Sequence, residues 1–570
     1  MAQLAESILA ALDDEQRAVA TAVRGPVCVI AGAGTGKTRA ITHRLAYAVD
    51  IGVIEPQKVL ALTFTARAAG EMRTRLRALG VPGISARTFH AAALRQLMYF
   101  WPEVLGGRFP QLLTTKTGFI TEAINRAGIT TTKNNSILRD LAGEIEWSKV
   151  LGFAPDEYQR ASDDYSRRII SGGQRVNSGD IAKVYEAYES LKRQERAIDF
   201  EDVLLLTVGM LEEDRDVRDR VRDQYRYFTV DEYQDVSPLQ QRLLDLWVGN
   251  RKDICVVGDP AQTIYSFAGA TPAFLLNFTN RYPEAEVIRL NRGYRSSPEI
   301  INTANAILRG ALQSHELTSQ NTHGEKPVMI ISENSKNEIE NIVREIQSAL
   351  SSGAIPHEIA VLARTNSQID EMEAALNEAG IENQVRNAER FFNRTEVRDL
   401  MKAVRSASVL SNSQGTHAQG DWYADLKSAL QPFGNSEYVR AFLQLGRELV
   451  QEGVSTLRGY LRELEDRAEQ NNPPTLPGVV LSTLHAAKGL EWERVFLIGV
   501  AEGLLPFGVT KTSASERTRN SAHETSRESA NTIEEERRLF YVGITRAKSS
   551  LTVSYYGVPS RFLAESGLSN

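Results

Sequence analysis

The stretch Val27-Cys28-Val29-Ile30-Ala31-Gly32-Ala33-Gly34-Thr35-Gly36-Lys37-Thr38 sets an apolar, β-prone run against a glycine-rich octet, and an amphipathic segment ending near Val49 follows. Strand, flexible loop and helix in that order are what phosphate cradling requires. Gly32, Gly34 and Gly36 let successive backbone N–H groups turn inward toward a triphosphate, Lys37 reaches the outer phosphates, and the Thr38 hydroxyl suits Mg²⁺. Ala31 stands where the first glycine of such loops usually falls. The loop predicts nucleotide binding without saying what hydrolysis would drive.

The 570 residues exceed what one hydrophobic core supports, so three to four domains are expected. Ordinary apolar and charged fractions indicate a soluble globular chain. Cys28 and Cys255, the only cysteines, lie in apolar strand-like runs, which predicts buried thiols and fits a reducing cytosol. The N-terminal MAQLAESILAALDDEQ is acidic and lacks a long apolar core, so neither a leader nor a membrane span is expected. A net charge of −6 argues mildly against a nucleic-acid partner, yet between Arg67 and Arg95 there are six arginines and one acid, Glu71. Such a local bias suits a backbone-binding groove.

The order of apolar runs divides the chain. From Leu12 to Arg95, VCVIAG, VLALTF and ISARTF alternate with helical stretches, the pattern of a parallel α/β sheet. Residues 96–197 have helical spacing broken by TTTKNNS and SGGQRVNSGD, which predicts a helical insertion. YFTVDEYQD and DICVVGDP resume the first sheet. A second α/β unit is expected from about 281, with strands at EVIRL, PVMIIS and EIAVLAR; it breaks off near 405 for a small insertion and resumes at GVVLSTLH and RVFLIGV. The polar run over 511–531 predicts a disordered loop.

Around the phosphate loop, YFTV ends in Asp231-Glu232, two acids at the end of a buried strand. Phosphoryl transfer depends on positioning and charge neutralisation, so Asp231 is assigned to the metal and Glu232 to the attacking water. Gln262 follows another strand and is placed to sense the γ-phosphate. Tyr265 and Phe267, interrupted by small residues, offer stacking surfaces. Arg295 and Arg546 are candidates for guanidinium groups that stabilise the transition-state charge.

LDDEQRAV, AGAGTGKT, LTFTARAAGEM, RTFH, VDEYQD, VVGDPAQTIYSFAGA, LNRGYRSS, VLARTNSQ, LSTLHAAKGLEW and EEERRLFYVGITRAK together resemble the UvrD/Rep/PcrA group of superfamily 1 DNA helicases over nearly the whole chain. The resemblance implies an α/β fold with two RecA-like parallel-sheet P-loop NTPase domains, each interrupted by a mostly helical insertion. Residues 1–95 and 198–280 would form the first domain and 96–197 its insertion; 281–405 and 475–570 would form the second, with a reduced insertion at 406–474. ATP would bind between the domains and single-stranded DNA would cross both.

The resemblance further implies that Gln16 reads the adenine and that Ala31, Gly32, Ala33, Gly34, Thr35, Gly36, Lys37, Thr38 and Arg39 line the nucleotide site with Tyr294, Arg295, Glu491 and Arg546. Thr38 and Asp231 would hold Mg²⁺. Lys37, Asp231, Glu232, Gln262, Arg295 and Arg546 would carry catalysis, the two arginines as arginine fingers. Phe64, Tyr265 and Phe267 would stack on bases, with Thr65, Thr88, His90, Asn366 and His485 contacting the strand. The implied activity is 3′ to 5′ translocation and unwinding in repair or replication, in the bacterial cytosol or nucleoid, on single-stranded and 3′-tailed duplex DNA. A repair-protein partner would fit, no membrane is implied, and monomer and dimer stay open. Two departures from the family pattern stand out. Phe267 and Ala268 replace the usual Trp and Arg, and the second insertion is less than half the usual size. They leave room for a second reading, a translocase or protein-displacing factor that needs a partner to open duplex.

Overall fold

The computed structural model describes the chain apart from residue 1 and residues 130–134, 166, 168–169, 172–173, 310–315, 387–390, 393, 414–421, 435, 452–453, 470–473, 475–476, 509–521 and 569–570. Two compact units form, residues 1–32 with 36–290, and residues 33–35 with 291–570.

The first unit is built on six parallel strands. These are β1 (Val27–Ala31), β2 (Val59–Thr63), β3 (Ser85–Thr88), β4 (Tyr227–Val230), β5 (Ile254–Gly258) and β6 (Glu286–Leu290), in the order β6-β1-β5-β4-β2-β3. Parallel strands need crossovers, and the crossover helices cover both faces, so the central strands are apolar throughout rather than alternating. Val27, Val29, Ala31, Val59, Ala61, Cys255 and Val257 face one core with Ile41, Leu45, Met72 and Leu76. Cys28, Leu60, Leu62, Phe228, Val230, Ile254 and Val256 face the other with Phe89, Leu204 and Trp247. Cys28 and Cys255 therefore sit on opposite faces of adjacent strands, as buried free thiols.

The second unit repeats the plan with β7 (Val328–Ser332), β8 (Ile359–Ala363), β9 (Asn383–Val385), β10 (Val479–Thr483), β11 (Trp492–Leu497) and β12 (Ala547–Tyr556). Their order is β7-β12-β11-β8-β10-β9, again all parallel. These are two RecA-like α/β domains.

One repeat runs in step between the sheets. A 3₁₀ turn at Pro56–Lys58, β2, a threonine cap at Thr65 and a helix over Ala66–Ala78 are answered by Pro356–Glu358, β8, Thr365 and a helix over Asn366–Glu378. Met72 and Met372, like Leu76 and Leu376, are buried at matching places.

Two expectations are corrected. EVIRL, expected to open the second unit, is β6 and pairs with β1 from Val27↔Glu286 to Ala31↔Leu290, closing the first sheet. Strand character was evident, but a pairing partner so distant in sequence was not. Within 511–531, residues 511–521 lie outside those described, and from Ala522 the chain is helix to Ile544 in place of the expected loop. Glu, Ala and Arg there favour helix despite the missing apolar stripe.

Within 96–197, helices at Thr117–Arg126, Asn135–Leu151 and Ser178–Glu195 enclose a core around Ile124, Ile145, Trp147, Tyr158 and Tyr188. A buried charge cluster ties it to the helix Phe200–Glu213. Lys149 Nζ lies 2.7 Å from Asp199 Oδ1 and 3.3 Å from Glu189, and also pairs with Asp202. Lys192 Nζ lies 3.1 Å from Asp199 Oδ2 and 2.8 Å from Glu189, and Tyr188 donates to Asp199 at 2.9 Å. Against the burial that opposes it, Lys149 and Lys192 hold the Asp199 carboxyl well below the usual range. The three acids are close enough to hold a metal ion, but the two ammonium groups already occupy their oxygens. A second helical core, around Val404, Trp422, Leu426, Phe442, Tyr460 and Leu464, is built from helices at Thr395–Ser413, Trp422–Leu430, Glu437–Gln451 and Leu457–Glu469.

Removing one partner of a buried ion cluster strands the other charges. Lys149→Met is expected to destabilise the first unit by about 3–5 kcal/mol, read as a lower urea midpoint.

Candidate nucleotide and nucleic-acid site

Gln16 apart, which lies on the helix Asp14–Thr21 ahead of β1, the candidate residues of the first unit follow the carboxyl ends of its strands, where open parallel sheets hold their ligands. The loop after β1 turns through positive φ at Gly34 (+74°) and Gly36 (+80°), and Gly36 opens the helix Lys37–Asp50. Gly36 has a second reason to be glycine, since a Cβ there would lie 2.6 Å from Gln16 Nε2. Gln16, buried and held by its N–H on Asp13 Oδ1 at 2.9 Å, is thus seated against the loop. Arg39 donates to the carbonyl of Ala11, just before that segment. The main chain continues the sheet pairing through Gly32, whose N–H donates to Leu290 O at 3.3 Å, while Ala33 and Thr35 are buried.

Asp231 N–H donates to Leu62 O at 2.8 Å, so the ladder carries one residue past β4 before the chain turns. Glu232 makes that turn at φ +53°, a left-handed conformation that side chains rarely adopt, and such strain gathers at functional sites. Its Oε1 lies 3.4 Å from Lys37 Nζ. Asp231 is buried, and desolvation together with the adjacent Glu232 pushes its carboxyl up to about 7. A buried carboxylate whose charged form needs support and a threonine hydroxyl in the first turn of the helix Lys37–Asp50 are hard oxygen donors of the kind that suits Mg²⁺.

Gln234 carries a role the sequence reading missed. Wholly buried, it donates through Nε2 to Glu232 Oε2 and accepts the Asp259 N–H on Oε1 at 3.0 Å. Asp259 Oδ2 in turn accepts from Gln262 Nε2 at 2.6 Å. A Cβ at Gly258 would lie 2.5 Å from Gln234 Oε1, so glycine is required where the two strand ends approach. A continuous hydrogen-bonded row therefore joins Glu232 to Gln262. The one signal in sequence was a polar residue between two acids, which reads equally as a surface turn.

Beyond Gln262 the chain reaches an aromatic ladder. Phe64 stacks on Tyr265 with centroids 5.1 Å apart and planes 19° from parallel, and Tyr265 meets Phe267 edge-on at 6.2 Å. Phe64 is 37% and Phe267 53% exposed, so rings face solvent as stacking surfaces. Thr65 and Thr88 cap the helices that follow β2 and β3, accepting the N–H of Ala68 and Ala91, each at 3.1 Å. Two helix N-termini, with their partial positive charge, thus follow β2 and β3. Burial, assisted by the Lys116 charge, pushes His90 down to about 4, so it is neutral near pH 7 and would act by hydrogen bonding.

In the second unit Asn366 is exposed at the first turn of the helix capped by Thr365. Burial, with Arg364 and Lys488, pushes His485 down to about 4. Arg364 is chelated by Glu536 at 2.8–3.1 Å with its guanidinium 5.1 Å from the Phe507 ring centroid, another constellation the sequence reading missed. The tip of the phosphate loop groups with this unit, where Tyr294 N–H donates to Gly34 O at 2.9 Å and the Tyr294 ring is exposed. Arg295 donates to Glu491 Oε2 at 2.6 Å and to Thr545 O at 3.2 Å. Glu491 also pairs with Lys548 at 3.1 Å, and against partial burial these two cations hold it below its ordinary range. Arg546, the other candidate guanidinium, is 1% exposed and donates to Val542 O, Leu490 O and Thr545 Oγ1 at 2.9–3.0 Å.

This geometry defines a P-loop nucleotide-binding α/β protein, and comparison with known proteins narrows the class. Residues 12–283 match the UvrD/REP helicase N-terminal domain, and residues 288–418 and 431–557 match the UvrD-like helicase C-terminal domain. The chain is 42% identical to the ATP-dependent DNA helicase UvrD2 of Mycobacterium tuberculosis, over 97% of this chain and 80% of that protein. It is 27% identical to the ATP-dependent DNA helicase PcrA of Staphylococcus aureus, over 98% and 86%. The chain belongs to the UvrD-like helicases. Among the described residues no helix is long and apolar enough to cross a membrane.

The two histidines give a pH signature. Each folded imidazole titrates near 4, whereas the unfolded chain takes up its proton near 6.5, so the stability they contribute is complete above about 6.5 and is lost as pH falls toward 4. Between pH 7 and 5 each ring should cost about 2 kcal/mol. Urea unfolding of His90→Gln with His485→Gln is expected to show a flatter decline over that range.

Proposed function

We propose that this chain is an ATP-dependent DNA helicase that moves 3′ to 5′ along single-stranded DNA, in repair or replication in the bacterial cytosol. The observation that carries the reading is the row Glu232–Gln234–Asp259–Gln262, which begins beside Lys37 and leads into the Phe64–Tyr265–Phe267 ladder. It supplies a physical route by which a change at a bound γ-phosphate alters the grip on a base. The relatives named as ATP-dependent DNA helicases support the same activity.

In this reading Lys37 and the loop N–H groups bind the triphosphate, Gln16 and Tyr294 hold the adenine, and Glu232 orients the water. Arg295 and Arg546 approach the γ-phosphate, which requires each to exchange the acceptors it holds here. Thr38 and Asp231 would hold Mg²⁺, which supplies neutralisation of phosphate charge. Phe64, Tyr265 and Phe267 stack on bases, a sequence-tolerant grip because every base has a π-face. Thr65, Thr88, His90, Asn366 and His485 contact the strand. The helical cores within 96–197 and 406–474 are insertions of the two RecA-like domains, and 3′-tailed duplex is the natural substrate.

Lys37→Ala is expected to abolish ATP turnover. Glu232→Gln should still bind ATP and single-stranded DNA while turnover falls by roughly 10²-fold or more; normal steady-state ATPase in this variant would sink the water-orienting assignment. Purified protein should open a duplex with a 3′ tail and leave its 5′-tailed counterpart closed. DNA-stimulated ATPase without any strand separation would favour a translocase that relies on a partner.

A further inference from the structure

Arg167 lies in the polar stretch between two helices of the 96–197 region, far in sequence from the aromatic ladder, yet its guanidinium reaches that ladder's backbone. Nη1 donates to the carbonyl of Phe267 at 3.2 Å. The rest of the group is fixed from behind. Nε donates to Glu144 Oε1 and Oε2 at 3.1 and 3.3 Å, Nη2 also pairs with Glu144, and the guanidinium carbon stands 4.7 Å from the Trp147 ring centroid. Glu144 and Trp147 are themselves buried, and Tyr158 donates to Glu144 Oε2 at 2.8 Å. The arginine is thus a rigid strut rooted in the helical core.

What it props is short and weakly self-supporting. Ser266–Ala268 is a single 3₁₀ turn, closed by Ala268 N–H on Tyr265 O and Gly269 N–H on Ser266 O, each at 3.0 Å. Gly269 follows at φ +88°, and a Cβ there would meet Val150 Cγ1 at 2.9 Å, so the turn is pressed against the helix Asn135–Leu151. A charge-assisted hydrogen bond to the central carbonyl sets the direction of the exposed Phe267 ring.

We propose that Arg167 is a positioning residue for the single-strand grip, acting through the Phe267 carbonyl to hold the Phe267 ring ready to stack on bases. The inference rests on the single-stranded DNA reading above. Arg167→Met keeps an unbranched stem over Trp147 and removes every donor. It is expected to raise the concentration of a oligo-dT strand giving half-maximal ATPase roughly tenfold, from loss of one charge-assisted bond, while ATPase without DNA stays within about twofold. Arg167→Lys, which retains a donor, should fall between wild type and Arg167→Met. The deciding measurement is the cycle with Phe267→Ala. If Arg167 acts through Phe267, the double variant is no weaker for DNA than Phe267→Ala alone; multiplying penalties, or an unchanged half-saturation in Arg167→Met, would overturn the proposal. Wild-type protein showing no stimulation by oligo-dT would instead overturn the single-strand reading itself.

Discussion

The side chain of Gln234 is the constraint on which the first unit's site depends. One amide, with no access to water, makes a local hydrogen bond and one that crosses between neighbouring strand ends: it gives to Glu232 beside it and takes from the backbone of Asp259 after the next strand. Breaking either would strand a buried polar group, which costs more than an ordinary hydrogen bond gains. The two strand ends are therefore held in one register. The left-handed turn at Glu232 is sustained by this bond and by the Lys37 ammonium, and Gln262 is fixed through Asp259 at the far end. Rigidity here is useful because phosphoryl transfer asks for positioning more than for covalent chemistry.

Much of this was legible in the sequence. The loop Ala31–Thr38 has a composition with few uses other than phosphate binding, and the central strands announced themselves as unbroken apolar runs because both faces are covered. The acid pair after YFTV was readable for the same reason: charge at the end of a buried strand demands an explanation. What stayed hidden depended on contacts between distant segments. EVIRL read as a strand, but its place beside β1 is decided by the whole sheet. Nothing local in the sequence marks Arg546 as buried, because its burial depends on carbonyls freed at a helix end and at Leu490. Arg167 sits in a stretch whose composition signals only a turn.

The repeated strand–threonine–helix segment shows how one solution serves twice. Thr65 and Thr365 each end a buried strand and start a helix, so both sheets present oriented backbone N–H groups at their carboxyl edges. The residues before the threonines differ in a telling way. Phe64 offers an aromatic face, whereas Arg364 is locked by Glu536 and lies over Phe507. The same scaffold thus carries a half-exposed ring stacked on Tyr265 in one unit and, at the matching place in the other, a cation lying over a ring.

The placement of Cys28 and Cys255 on opposite faces of the first sheet has a practical side. With both thiols sealed in separate cores and no other cysteine in the chain, the folded protein is nearly silent toward water-soluble thiol reagents. Burial pushes the Cys28 thiol up to about 12, which suppresses the reactive thiolate further. A single cysteine introduced at an exposed position such as Asn366 would be the one addressable handle, so fluorophores can be attached site by site without first rebuilding the core.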